Sequence, residues 1–284
     1  MERVRQSRTG SLPADISVMR GTIAFTSKLK KGLSLLEGAA DTSKLGTFAF
    51  CALDYRAKPE LLRQQADIIF DSCGVWNAFG VPRSKGATFV RAVLDGYLPN
   101  PYHNQFHGVD VLNTFYTMII SVSAHRFLHG LDVFAGLVAS LAHDLGHTGE
   151  TNAFLTTTRA ELALQYNDAS PLENMHASKL YTLLRKEEYN ILSSLEMEQW
   201  TAMRKTVLSA ILATDMNTHF RLVAEVEKFC ELHTAEMKMF NKSIDAARMA
   251  ESAPELMEAR RLQDEARNGS RNGSDENTAV GTTT

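Results

Sequence analysis

Two short stretches, YHNQFHGVD at 102–110 and HDLGHTGETN at 143–152, contain His103, His107, His143 and His147, four of the nine histidines in the chain, together with Asp110 and Asp144. His103 and His107 lie four residues apart, and His143 and His147 repeat the interval. On a helix, side chains at that spacing share a face, so each stretch would present two imidazoles in one direction. Imidazole nitrogens mixed with carboxylate oxygens suit zinc and its neighbours, whereas carboxylates with water suit magnesium or manganese. Asp144, directly after His143, has two oxygens and can serve two ions at once. One ion can supply a nucleophilic hydroxide at neutral pH, and a second can clamp a phosphoryl oxygen and offset the charge that develops there. The chemistry indicated is hydrolysis of a phosphoester. A lone pair of histidines at helical spacing is more often surface or core filling; two pairs, each beside an aspartate, favour the metal reading. In LVASLAHDLGH the core-like Val138, Leu141, Ala142 and Leu145 place Asp144 on or near a buried face, where a carboxylate needs a cation or several donors.

The elements that must hold these residues read as helices. PELLRQQADIIFDSCGVWNAFG puts Leu62, Ala66, Ile69 and Cys73 on one stripe, and Gly80 with Pro82 ends it. A further helix fits ATFVRAVLDGYL and stops at PNP, residues 99–101. Residues 105–124 and 131–147 read as two long helices with apolar faces, which places both histidine pairs on helices. SPLENMHASKLYTLL opens with Ser170 as a candidate cap, Pro171 in the first helical position and Glu173 in the third. SLEMEQWTAMRKTVLSAILATDMNTHF predicts a helix to about residue 212 that could continue past Thr214. No stretch calls for a sheet. The predicted class is all-α, a compact multi-helical domain.

Composition bounds the partners. A formal charge of −3 over 284 residues offers no electrostatic case for nucleic acid or an acidic membrane surface. Cys51, Cys73 and Cys230 lie far apart and match neither a disulfide framework nor a zinc-finger spacing, so a reducing, cytoplasmic setting is expected. No apolar run follows the charged N-terminus, which speaks against a secretory signal. The apolar runs near 115–124 and 131–142 are broken by His125, Arg126, His129 and Asp132, too soon to span a bilayer.

The blocks YHNQFHGVDV, HDLGHTGETNAFL, PLENMHASKLYTLL and ILATDMNTHF, in this order, are similar to the catalytic domain of the class I (vertebrate-type) 3′,5′-cyclic nucleotide phosphodiesterases, within the HD superfamily of metal-dependent phosphohydrolases. The similarity runs from about residue 45 to 222. It implies an all-helical fold and hydrolysis of cAMP and/or cGMP to the 5′-monophosphate by a metal-activated hydroxide. It further implies that His103 protonates the leaving 3′ oxygen, that Tyr102 shapes the pocket, and that Tyr102, His103 and Asp144 meet the substrate. Zinc would be held by His107, His143 and Asp144, and Asp144 would also touch magnesium (or manganese) whose remaining shell is mostly water. His147 and Glu173 would hold the water network or the donor histidine, and Thr214 and Asp215 would line the rear of the site. Glu173 also fits a capping box with Ser170; the resemblance favours the site role. Asn104 and Asn152 are expected to fix local geometry rather than touch substrate. His125 and His129 carry no role and are expected in solvent or loops. Met175 and Thr148 stand where family blocks commonly have histidine and proline.

The later chain departs from the family pattern. After Phe220 there is no ADLSN-like segment to supply a fourth zinc ligand, and no glutamine–phenylalanine pair to hold a base. The final third of the family domain is therefore expected to be absent, which leaves open an impaired fragment that acts as a binding or regulatory protein. The expected organisation is a flexible segment at 1–45, the catalytic domain at 46–222, a charged helical extension at 223–267 and a disordered tail at 268–284. Exposed apolar helix faces would then offer surfaces for self-association or a protein partner.

Overall fold

The computed structural model describes residues 43–121, 124, 128–234, 238 and 242. Among the described residues every regular element is helical: α1 (Pro59–Ser72), α2 (Val75–Ala78), α3 (Arg83–Asp95), α4 (Gln105–Ser121), α5 (Gly130–Ala142), α6 (Asn152–Thr157), α7 (Glu161–Gln165), α8 (Pro171–Leu184), α9 (Met197–Leu212) and α10 (Met216–Leu232), with 3₁₀ turns at Ala52–Tyr55 and Glu187–Tyr189. The chain divides into two units, Met1–His219 and Phe220–Thr284.

In the first unit α5 is the central rod. Val133, Phe134, Ala135, Leu137, Val138, Ala139, Leu141 and Ala142 are buried around its circumference, and a helix apolar on all sides must be enclosed. α4 and α9 pack along it, with α3 against another side. Phe134 anchors an aromatic group: the Trp76 ring meets it edge-on at 5.8 Å, Phe79 stacks on it at 5.2 Å, and Phe70 stacks on Trp76 at 4.9 Å. The predicted stripe on α1 faces this core, with Leu62, Ala66 and Ile69 buried and Cys73 partly so. A smaller apolar group of Leu155, Ala163, Leu172 and Met175 ties α6 and α7 to α8. In the second unit, α10 runs on to Leu232, and none of its residues is buried.

Several helices end earlier than their patterns predict. The stretch 59–80 is broken at Gly74, whose φ of 65° turns the chain out of α1 and into the short α2. α5 stops at Ala142, so His143 caps it and His147 lies beyond it in a turn, not on the predicted helix through 147. Residues 152–157 and 161–165, for which no element was predicted, form α6 and α7; the Thr151 hydroxyl accepts from Phe154 N–H at the start of α6. Ser170 does not cap α8: its φ is 45° and its hydroxyl donates elsewhere. The continuation past Thr214 is broken at 213–215, where Asp215 accepts from Asn217 N–H and starts α10, a position aspartate favours.

The predicted segment 1–45 lies outside the described residues except for 43–45, and the tail 268–284 lies wholly outside them, as does His125. His129 is the N-cap of α5, paired with Asp132 in a capping box.

Candidate metal centre

Three side chains from two separate helix ends converge. His107 is in the first turn of α4, where Asn104 Oδ1 accepts from Phe106 N–H at 3.0 Å and His107 N–H at 3.3 Å. His143 caps α5 and donates Nδ1–H to Ser140 O at 3.0 Å. That bond leaves the Nε2 lone pair of His143 facing inward, 3.2 Å from His107 Nε2. Asp144 Oδ2 lies 3.3 Å from His107 Nε2 and 3.1 Å from His143 Nε2. Burial by itself pushes the Asp144 carboxyl up, but the imidazoles of His107 and His143, aided by His176, hold it well below the usual carboxylate range. Such a triangle fits a divalent cation. Ligands about 2.1 Å from one ion are about 3.0 Å apart in an octahedral shell and about 3.4 Å apart in a tetrahedral one. The observed edges lie between the two.

The other oxygen of Asp144 faces a second group. Oδ1 is 3.7 Å from His176 Nε2, and His176 donates Nδ1–H to Leu145 O at 3.0 Å. In that tautomer both facing atoms are acceptors, so the space between them requires a donor or a cation. Asp144, His147 and His176 form a second grouping of possible ligands. His147 accepts from Gly149 N–H through Nδ1 at 2.9 Å, so its neutral ring carries the proton on Nε2 and offers a donor there. Burial pushes both His147 and His176 down to about 4, against the opposing pull of Asp144. His176 was not singled out in the sequence. The available signal was its spacing of three from Glu173, which puts both on one face of α8.

His103 stands outside the ligand groupings. Its ring stacks on His147 at 3.9 Å with 7° between the planes, and meets the His107 ring edge-on at 5.9 Å. Burial lowers its pKa, with Asp144 acting against the shift. Tyr102 is exposed at the rim, its ring 5.0 Å from His103 and 4.6 Å from His107.

Glu173 is buried and accepts from Asn152 Nδ2 at 2.8 Å. Burial raises its pKa, with the Asn152 bond opposing. Asn152 also accepts from Leu172 N–H through Oδ1 at 3.0 Å, so its amide joins the starts of α6 and α8. Asp215 is buried and accepts from the Ser170 hydroxyl at 2.7 Å; it belongs to neither ligand grouping. The Thr214 hydroxyl turns back to Ile211 O at 2.7 Å. Asp110 is drawn away from the centre and accepts from Ala52 N–H at 2.8 Å. A groove of about 650 Å³ between α8 and α9, lined by Tyr181, Arg185, Trp200 and Arg204 among others, includes none of the centre's residues.

A His/Asp cluster able to hold a divalent ion, at the meeting of two helix ends in an all-helical fold, invites comparison with known proteins. The family model described as 3′5′-cyclic nucleotide phosphodiesterase matches residues 102–266. The dual specificity calcium/calmodulin-dependent 3′,5′-cyclic nucleotide phosphodiesterase 1 of Drosophila melanogaster is 37% identical over 191 residues, which cover 66% of this chain and 23% of that protein. The 3′,5′-cyclic-nucleotide phosphodiesterase regA of Dictyostelium discoideum is 40% identical over 153 residues, 54% of this chain and 19% of that protein. The crystal structure of the phosphodiesterase domain of the RhoPDE fusion protein from Salpingoeca rosetta superposes with a TM-score of 0.63 at 34% identity, covering 66% of this chain and 58% of that one. The chain thus spans about a fifth of the length of these curated relatives. The matched region contains His103, the ligand triangle, His176 and Asp215 together, and on that evidence the chain belongs to the 3′5′-cyclic nucleotide phosphodiesterase family.

Proposed function

We propose that this chain hydrolyses 3′,5′-cyclic nucleotides, cAMP and/or cGMP, to 5′-monophosphates. The observation that carries the reading is the triangle of His107, His143 and Asp144 at 3.1–3.3 Å, with His103 beside it and outside it. We assign zinc to the triangle and magnesium (or manganese) to the side of Asp144 that faces His147 and His176. Bound there, such ions would make water nucleophilic at neutral pH and offset phosphoryl charge. The chain's own residues do the rest. His103, with its imidazole free of ligation, donates a proton to the leaving 3′ oxygen. His147 supports the donor ring by stacking. Tyr102 covers the rim, where the substrate enters beside His103 and Asp144. Glu173, Thr214 and Asp215 hold the surrounding framework, Glu173 through Asn152 and Asp215 through Ser170.

The wider setting is part of the same proposal. No helix among the described residues is long and apolar enough to cross a membrane, and Cys51, Cys73 and Cys230 are free thiols; we place the reaction in the cytoplasm. Self-association or a protein partner would use the apolar residues exposed on α10, such as Val223, Val226 and Phe229.

A second reading, a metal-binding fragment with a regulatory role, is favoured by one observation: among the described residues, three side chains meet in the triangle. Both readings are separated by measuring metal content and the conversion of cAMP and cGMP by the purified chain, with added zinc and magnesium, after chelation, and with His143→Ala. Metal-dependent turnover that His143→Ala abolishes is the expected result. Stoichiometric metal without turnover would transfer the assignment to the second reading, and absence of metal would defeat both.

A further inference from the structure

We propose that Asn100 is a positioning residue for the proton donor: its side-chain amide holds the His103 loop in register with the His147 turn. The inference rests on the hydrolase reading above. Both N–H groups of the amide are used. Asn100 Nδ2 donates to His103 O at 3.1 Å and to His147 O at 2.7 Å. These carbonyls belong to the two residues whose rings stack at 3.9 Å. One planar group thereby sets the backbone separation of two stacked side chains. Among the described residues, no other side-chain hydrogen bond joins residues 100–104 to residues 143–149.

The tie continues into the ligand helix. Asn100 O accepts from Asn104 Nδ2 at 2.8 Å, and Asn104 Oδ1 accepts from Phe106 and His107 N–H at the start of α4. A connected run of amides therefore links the His147 turn, the His103 loop and the helix that carries His107. Gly149 leaves room for it: a Cβ there would lie 3.2 Å from Asn100 Oδ1. Asparagine suits the position because a single short side chain must supply two donors to two carbonyls. Aspartate has the same shape but no donor, and its charge would face two carbonyl oxygens. Alanine would leave both carbonyls without their bonds.

Asn100 belongs to neither ligand grouping and its amide bonds the backbones of His103 and His147, so its effect on the reaction passes through His103. A donor displaced by about 1 Å loses about 10²-fold in rate. Asn100→Ala and Asn100→Asp are each expected to lower kcat by about that factor, with KM and bound metal unchanged. Because the effect is routed through His103, adding Asn100→Ala to His103→Ala should change kcat by less than about twofold. Wild-type kcat in Asn100→Asp, loss of metal in either variant, or losses that multiply in the double variant would each overturn the assignment. If the unaltered chain shows no turnover, the hydrolase reading fails by itself, and NMR still tests the positioning. The ring-current displacement of the His103 and His147 imidazole protons should vanish in Asn100→Ala; retained displacement would overturn the inference.

Discussion

Asp144 is the residue at which the two groupings meet, one oxygen toward His107 and His143 and the other toward His176. A buried carboxylate among imidazoles is stable only when charge or donors compensate it, which is why the same atom pattern that lowers its pKa also suits a cation. His103 differs in kind, since it stacks on His147 and lies apart from the triangle. If it is the proton donor and not a ligand, His103→Ala should reduce cyclic nucleotide turnover by roughly 10²–10⁴-fold while bound metal stays at the wild-type ratio. Loss of metal in that variant, read by elemental analysis, would show the role to be misassigned. At this scale the sequence was informative about ligand types and nearly silent about supports. The histidine spacing marked His103, His107, His143 and His147, but nothing local marked Asn100, whose partners are the backbones of His103 and His147.

The ends of helices build the site, more than their lengths do. α4 supplies His107 from its first turn, and α5 supplies His143 and Asp144 as it stops. The chain turns back at Gly146, whose φ is +73°, and this reversal brings His147 under His103 rather than leaving it one turn along a helix. Lys179 covers the same glycine, donating to Gly146 O at 3.3 Å, and its flexible side chain fills the space a Cβ would take. Gly146→Ala should therefore cost mainly backbone strain, about 1–2 kcal/mol, as Lys179 can move aside. Chemical denaturation should show that loss of stability, and isothermal titration should show weaker metal binding through the displaced turn. An unchanged unfolding midpoint would contradict the strain argument.

Taken whole, the first unit buries several titratable groups at one place, and this makes its stability depend on pH. In the metal-free protein His147 and His176 remain neutral down to about 4, whereas in the unfolded chain they protonate below about 6.5. Between those values the unfolded state binds more protons, so stability falls as pH falls through the window and is flat above it as far as these groups are concerned. Asp144 extends the loss further into acid, because its depressed carboxyl keeps stabilising the fold until it is protonated. Thermal melts of chelated protein from pH 7.5 to 4 should show a declining midpoint that begins near pH 6.5. Replacing His176 with Gln should flatten that limb, and a midpoint independent of pH would refute the account.

Fold class and the groups able to hold an ion were legible in the sequence because both are local. Apolar periodicity is read within a few turns, and a histidine–aspartate pair is visible as neighbours. The stripe of Leu62, Ala66 and Ile69 is buried as its spacing required. Helix ends were less legible: the apolar pattern of 131–147 continues through Leu145, and only the left-handed turn at Gly146 shows that α5 has already stopped. Ser170 and Glu173 have the spacing of a capping box, yet Ser170 donates to Asp215, 45 residues away, and Glu173 accepts from Asn152, 21 residues away. Those choices are made by packing, because a hydroxyl or carboxylate takes whichever partner the assembled helices bring within reach. The sequence determined which groups could hold an ion. Tertiary structure decided which lone pairs face one another, since that depends on where two helices from distant parts of the chain end in space.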